Sequence, residues 1–446
     1  MIHEAGQGVI LGLDAQWLSV SIFLTTYALL VSERANPTII VLLGAGLMIW
    51  TGIINQEQAV DGVDFNTIAL LTGMMILVAV IQRSGVFQYV AVWATKRVKA
   101  DPRGIMLMLA TVTALFSALL DNVTTVLLIV PVTLLIVEKL ELSPYPFLVA
   151  EIFASNIGGT ATLIGDPPNI LIGSAVGFSF VDFVRELGLV VVVIHVFVLL
   201  VLYLLWRRQL IASEECRARV MAFEEKDAIT DSRLLWQSLV VLGLVIMGFL
   251  AAETIRIESG SIALTGAMVL LLLHTLGRDN RDQSQRVHDI LNEVEWSTLA
   301  FFVGLFVLVH GMEASGLLAL AGEEMMKLTG GDVQVTAFAT LWVSAVASAI
   351  IDNVPFVATM IPLLETTSPT LGGTEAMAPV WWALSLGACL GGNGSLIGAT
   401  ANVIVAGFAD RSGHPIRFLP FLLLAMPIML LTVLIATVYL YLRHFI

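Results

Sequence analysis

Two stretches of this chain put carboxylates, amides and prolines inside apolar sequence. SALLDNVTTVLLIVPVT runs from Ser117 to Thr133, and SAIIDNVPFVATMIPLL from Ser348 to Leu364. Each holds an Asp-Asn pair, Asp121-Asn122 and Asp352-Asn353, with a proline nine residues after the Asn. A carboxylate at membrane depth costs about 2.5–3.5 kcal/mol on insertion scales, and such groups are usually paired, protonated or ion-bound. Asp121 and Asp352 are therefore candidates to carry a proton or to ligate Na⁺. The amides of Asn122 and Asn353 each offer two donors and an acceptor to a polar solute. Each pair also reads as the cap of a half-helix starting at Val123 or Val354. Capping and solute contact are compatible.

A second motif follows each copy: GGTATLIGDPPN at Gly158–Asn169 and GGNGSLIGATAN at Gly391–Asn402. Adjacent prolines lack an N–H and clash with the preceding turn, so a regular helix cannot continue here. The expected shape is a helix that enters the membrane, breaks at these residues and returns as a re-entrant hairpin. Non-helical backbone at that depth is tolerated where it lines a cavity. The N-termini of half-helices attract anionic or polar oxygens, and freed carbonyls hold cations. The second copy keeps Gly391, Gly392, Gly398 and Asn402 but has Ala399-Thr400-Ala401 where the first has Asp166-Pro167-Pro168. Asp166 is thus an unmatched charge and a third coupling candidate.

Other polar residues carry weaker signals. His195 and His274 lie in aliphatic stretches and read as packed histidines; His310 lies near Glu313. Glu151 stands opposite Leu384 in the repeat, so any role would be one-sided. Cys389 aligns with Asn156 and reads as a small packing residue. No nucleophile–base pair or metal-ligand cluster is present, and no catalytic residue, metal or cofactor is expected.

The elements that must position these groups repeat. VDFNTI at Val63–Ile68 matches VEWSTL at Val294–Leu299, and GMMILVAVIQRSGVF from Gly73 matches GLFVLVHGMEASGLL from Gly304. Asp121 then falls on Asp352 and, after a small insertion, Asn169 on Asn402. The chain divides into a first repeat (1–206), a polar connector (207–234) and a second repeat (235–446). The connector holds Arg207, Arg208, Arg217, Arg219, Lys226 and Arg233, which mark it as cytoplasmic. Two helices near 235–253 and 260–276 return the chain to that side at Gly277–Arg286, with Arg278, Arg281 and Arg286. The stretch after Gly304 then ends on the far side, and Glu313–Lys327 is acidic. Its first-half equivalent is basic, with Lys96, Arg97, Lys99 and Arg103. That is the charge pattern of an inverted-topology repeat, a construction common in secondary transporters.

Composition sets the class. Of 446 residues, 58% are hydrophobic and 13% charged, against about 25% charged in a soluble domain. Apolar runs of about 17–25 residues recur, the length a bilayer-spanning helix needs. The expectation is an all-α polytopic membrane protein of two inverted repeats, each with a re-entrant helical hairpin and a broken transmembrane helix. A net charge of −13 gives no sign of a nucleic-acid partner. Two cysteines cannot form a three-thiolate site. Residues 1–16 lack the basic start and long apolar run of a signal peptide, and no phosphate-binding GxxxxGK[ST] occurs.

With LLDNVTTVLLIVPVT, NIGGTATLIGDPPNILI, SAIIDNVPFVATMIP and GACLGGNGSLIGATANVIVAGFA in view, the chain resembles the arsenite-permease and NhaD-type branch of the ion transporter superfamily. It bears a close likeness to bacterial relatives of the melanosomal P protein. The resemblance covers roughly residues 38–440 and implies hairpins facing opposite sides with the solute site between their tips. Carried onto this sequence, that site draws on Asp121, Asn122, Asn156, Thr160 and Asn169, and on Asp352, Asn353, Asn393, Ser395 and Asn402. It implies export of arsenite or antimonite across the cytoplasmic (inner) membrane in exchange for protons. A sodium/proton antiporter, or silicic-acid or small-anion efflux, are the alternatives on the same scaffold. Some members work with a soluble ATPase subunit, for which Trp206–Arg233 is the candidate docking segment.

Overall fold

The structure is a computed structural model that describes residues 14–32, 34–277 and 279–446. Arg278 and residues 1–13, which include most of the amino-terminal stretch read above for a signal peptide, lie outside them. Every regular element among the described residues is helical. The first ten are α1 (Ala15–Val31), α2 (Pro37–Trp50), α3 (Gln56–Asp61), α4 (Phe65–Gln82), α5 (Val86–Arg97), α6 (Pro102–Leu119), α7 (Asn122–Lys139), α8 (Tyr145–Gly159), α9 (Pro167–Val176) and α10 (Phe180–Trp206). A short helix, α11 (Glu214–Met221), lies between the halves. The same succession then recurs as α12 (Ser232–Ile255), α13 (Ser259–Thr275), α14 (Asn280–Leu291), α15 (Trp296–Ala314), α16 (Leu317–Thr329), α17 (Val333–Ile350), α18 (Asn353–Thr367), α19 (Ala378–Gly391), α20 (Thr400–Arg411) and α21 (Phe418–His444). Nine helices among the described residues are long and apolar enough to cross a bilayer. Leu189, Val192, Val196 and Leu200 of α10 are exposed, as a lipid-facing stripe requires.

Side-chain contacts give each helix its sense. The end of α4 meets the connector: Thr230 N donates to Ser84 O at 3.1 Å. Arg83 pairs there at 2.6 Å with Glu293, just before α15 begins. The start of α4 lies at the other side, where Asn66 donates to Ser174 near the end of α9 and accepts from Gly260 N at the start of α13. So α4 ends where α15, its sequence match, begins. The two repeats are inverted.

Packing follows the same twofold relation. α6 lies on α8 as α17 lies on α19, and α7 on α20 as α18 lies on α9. The early helices are exchanged between halves: α2 packs on α15, and α13 on α4. Glycines permit these approaches. A Cβ on Gly73 would stand 2.6 Å from the Ala263 carbonyl carbon, and one on Gly158 2.2 Å from Ala114 O.

The Asp-Asn pairs cap helices as expected, but the glycine motifs take a role different from the expected hairpin. α6 and α7 both have their outer ends on the connector side, since Arg217 donates to Lys99 O and Arg219 pairs with Glu141. They therefore form the re-entrant hairpin, with its turn at Leu120–Asp121. Gly158–Asn169 is instead the break in a crossing helix: α8 enters from the connector side and α9 leaves on the opposite one. The reason is that Asp121 caps the returning helix, whereas Pro167 and Pro168 occupy the first turn of a helix that continues onward, where a missing N–H costs nothing. α17–α18 and α19–α20 repeat the arrangement upside down.

Candidate functional site

The two hairpin turns and the two helix breaks meet inside the protein. At the first turn, Asp121 is half-buried and spends its carboxylate on capping, accepting from Thr124 N at 2.7 Å and Thr124 Oγ1 at 2.5 Å. Asp352 likewise accepts from Val354 N at 3.0 Å, and from Thr400 Oγ1 at 2.9 Å. The adjacent asparagines turn inward, and both reach the same residue. Asn122 Nδ2 lies 3.2 Å from Asp166 Oδ1, and Asn353 Nδ2 lies 3.3 Å from each Asp166 oxygen. Asp166, fully buried, thus joins the tips of hairpins that enter from opposite sides.

The breaks clasp one another around it. Asn169 Nδ2 holds the carbonyls of Gly159, Thr160 and Thr162 at 3.4, 3.2 and 2.9 Å. Its counterpart Asn402 holds Gly392 O and Ser395 O at 2.7 and 2.8 Å. Each Asn oxygen then accepts from the opposite half. Asn156 donates to Asn402 Oδ1 at 2.9 Å, and its repeat equivalent Cys389 lies 3.5 Å from Asn169 Oδ1. Asn156 also donates to Asn393 Oδ1 at 3.1 Å and accepts from Asn122 at 3.2 Å. These paired contacts fix both breaks in mutual register and satisfy carbonyls that no helix can use.

Asn122, Asn156, Asp166, Asn169, Asn353, Asn393 and Asn402 therefore form one buried network. Thr160 and Ser395 support it from within their own halves. Thr160 Oγ1 returns to Asn156 O at 2.8 Å, and Ser395 Oγ donates to Ala349 O at 2.6 Å. Asp121 and Asp352 stand at its edge as caps. Two atoms of the network have no protein partner, the acceptor Asn122 Oδ1 and the donor Asn393 Nδ2. Ser385, which sequence reasoning missed, donates to Asn169 Oδ1 at 2.6 Å. Its repeat position is Ile152, so no pattern marked it.

Outside the network, His195 lies 3.4 Å from Thr111, His274 the same distance from Arg286, and His310 the same distance from Glu313. A cavity of about 780 Å³ opens on the side away from the connector, between the ends of α9, α12, α15 and α18 and the start of α4. Glu253, Glu258, Glu313 and Glu365 line it, and it reaches Leu171 and Ala358, within two turns of the network. Among the described residues no group of three or more His, Cys, Asp or Glu could hold a metal ion.

Inverted halves, paired re-entrant hairpins and a polar crossing at membrane depth define a multi-pass membrane transporter. The chain belongs to the CitMHS family, described as citrate transporter, which it matches over residues 27–387. It is 42% identical to an uncharacterized transporter of Mycobacterium tuberculosis, over 96% of this chain and 99% of that protein. A 46 kDa membrane protein of Mycobacterium leprae is 41% identical over 96% of this chain and 98% of its own length. The human P protein is 34% identical over 96% of this chain, which spans 60% of that longer protein. The crystal structure of the YdaH transporter of Alcanivorax borkumensis shares the fold, with a TM-score of 0.57 at 15% identity over 96% and 98% of the two chains.

Proposed function

We propose that the protein is a secondary active transporter that exports arsenite or antimonite across the cytoplasmic membrane in exchange for protons. The observation that carries the solute class is the unpartnered pair in the network, Asn122 Oδ1 and Asn393 Nδ2. A neutral polyhydroxyl solute such as arsenous acid both donates and accepts, so it carries a group suited to each. Asp166 supplies the proton-exchanging group. Asn122 and Asn353 couple it to both hairpins, so its protonation state is felt by both halves. Citrate, the solute in the family's description, is polyanionic. The network offers it no lysine or arginine and sets Asp166 against it, so free citrate is disfavoured there.

A sodium/proton antiporter is the second reading, favoured by the Asp166 oxygens and the acidic cavity. A bare cation would leave Asn393 Nδ2 without an acceptor. Orientation follows from charge. Among the described residues, Arg185, Arg256, Lys327 and Arg443 are the only lysines or arginines on the cavity side, and the rest lie on the connector side. By the positive-inside rule residues 207–234 then face the cytoplasm and the cavity faces outward. The same segment is where a soluble ATPase subunit would dock. Proteoliposomes containing a pH-reporting dye decide the cargo. Proton movement on adding arsenite supports the proposal; a response to Na⁺ alone, or to citrate alone, refutes it.

A further inference from the structure

Glu151 is a carboxyl that the crossing does not use. It lies in α8, about 7.5 Å along the axis from Asn156 at 1.5 Å per residue, and towards the connector end of that helix. The residue is 1% exposed. Thr133 of α7 donates to Oε1 at 2.5 Å, and Oε2 is buried with no partner at all. Thr133 lies two residues past Pro131, in the half of α7 that returns to the connector side.

Among the described residues no cation pairs with this carboxyl. The elements packed on α8 are α6, α7, α10, α19 and α20, with the uncharged turn Gly392–Gly394. Arg103 of α6 lies at the connector-side start of its helix. Glu138 and Lys139 of α7, and Asp410 and Arg411 of α20, are exposed near helix ends. On α10, Asp182 caps with Ser179, Glu186 pairs with Arg443 beside exposed Arg185, His195 lies by Thr111, and Tyr203 is half-buried near the connector-side end. The only titratable group on α19 is Cys389, which lies by Asn169. None of these makes an ion pair or hydrogen bond with Glu151. An ionised carboxylate with one hydroxyl donor and a bare oxygen is far costlier at membrane depth than a neutral acid, which needs only to accept from Thr133. The second repeat has Leu384 at this position, so the feature belongs to one half alone.

We propose that Glu151 is a second proton-binding carboxyl of transport, distinct from Asp166 and placed between the crossing and the connector-side surface. This rests on the proton-exchange reading above. The proton resides on Oε2 while Oε1 accepts from Thr133. It leaves when rearrangement of the α6–α7 hairpin moves Thr133 and admits water from the connector side. The cavity side needs no such buried station, since its acidic lining is already open to solvent.

Two measurements on the reconstituted full chain test this. In an acid-minus-alkaline infrared difference spectrum, a protonated-carboxyl band should be lost in Glu151→Gln and retained in Asp166→Asn. In proteoliposomes, Glu151→Gln should keep the wild-type thermal midpoint and arsenite exchange at equal concentrations, because a neutral amide can still accept from Thr133. It should lose part of the accumulation driven by a pH gradient, and Glu151→Asp should restore it with a displaced pH profile. A Gln variant that keeps the band, or keeps full gradient-driven accumulation with an unchanged pH profile, overturns the inference. Wild-type transport without proton movement would instead defeat the proton-exchange reading, and the infrared band would still decide whether Glu151 binds a proton.

Discussion

Replacing Asp166 with asparagine separates coupling from architecture. The carboxylate receives three amide contacts, from Asn122 to Oδ1 at 3.2 Å and from Asn353 to both oxygens at 3.3 Å. An asparagine that keeps its oxygen at the Oδ1 position retains two of them. The third becomes donor against donor. Loss of one hydrogen bond of this kind costs about 0.5–1.5 kcal/mol, somewhat more where an ionised acceptor was involved. The fold should therefore survive with a small drop in thermal midpoint. Coupling should not. One pH unit is worth about 1.36 kcal/mol per proton, so each coupled proton supports an accumulation ratio of about tenfold at that gradient. Asp166→Asn should lower the limiting arsenite ratio in proteoliposomes under a one-unit gradient by about tenfold, while arsenite exchange at equal concentrations continues. A folded variant that reaches the wild-type ratio would show that the proton is carried elsewhere, and would remove Asp166 from the mechanism.

Four further outcomes follow. Gly158→Ala and Gly391→Ala would put a Cβ 2.2 Å from Ala114 O and 2.5 Å from Ala345 O, both backbone atoms; each should lower stability by about 3 kcal/mol or more, read as lost monodisperse protein in detergent. Asn169→Ala and Asn402→Ala each free two or more buried carbonyls, so each should cost about 2–4 kcal/mol, and thermal unfolding should place the two close together if the clasp is symmetric. Lys96 bonds Glu225 at 2.5 Å and holds that carboxyl below its ordinary range. Its contribution is thus present above the ordinary carboxylate value and lost as pH falls through the lowered one, which proteolysis of the connector across acidic pH should reveal. Finally, both native cysteines are buried. Membrane-impermeant maleimide should label Ile211→Cys and Ala175→Cys from opposite sides, the former from the cytoplasm; labelling from one side would refute the topology.

Much of this arrangement is legible in the sequence because each signal is local. An Asp followed by a helix-starting Asn announces a cap, and Gly-Asp-Pro-Pro-Asn announces an interruption, wherever the chain goes next. Matching Val63–Ile68 to Val294–Leu299 and counting arginines then yields the inversion. What is not legible depends on which surfaces meet. Gly158–Asn169 breaks a helix whether the chain returns or continues, and the direction is set by how α8 and α9 pack, on α6 and on α18. The convergence of Asn122 and Asn353 on Asp166 is likewise a contact between halves that no spacing within one half encodes. The exchange of α2 and α13 is hidden for the same reason. Ser385 is hidden because one hydroxyl in an apolar helix is ordinary until its partner is known.

The repeat also gives meaning to the two fully buried carboxyls that the first half alone carries. Two inverted copies with identical side chains would give the same energy to the two conformations obtained by exchanging their roles, which suits a carrier that must open to both sides. A perfectly symmetric site, however, gives a proton no preferred route. Here the structural contacts obey the twofold: the caps at Asp121 and Asp352, the carbonyl clasps of Asn169 and Asn402, and the donors Asn156 and Cys389. The unmatched carboxyls do not. Asp166 faces Ala399 in the alignment and Glu151 faces Leu384, and both lie on the α8–α9 crossing. On the proposed function, scaffold and coupling are thereby divided between what the copies share and what one copy alone retains. Substitutions at matched positions should then act on stability from either half alike, whereas those at Asp166 and Glu151 should act on coupling and have no second-half counterpart.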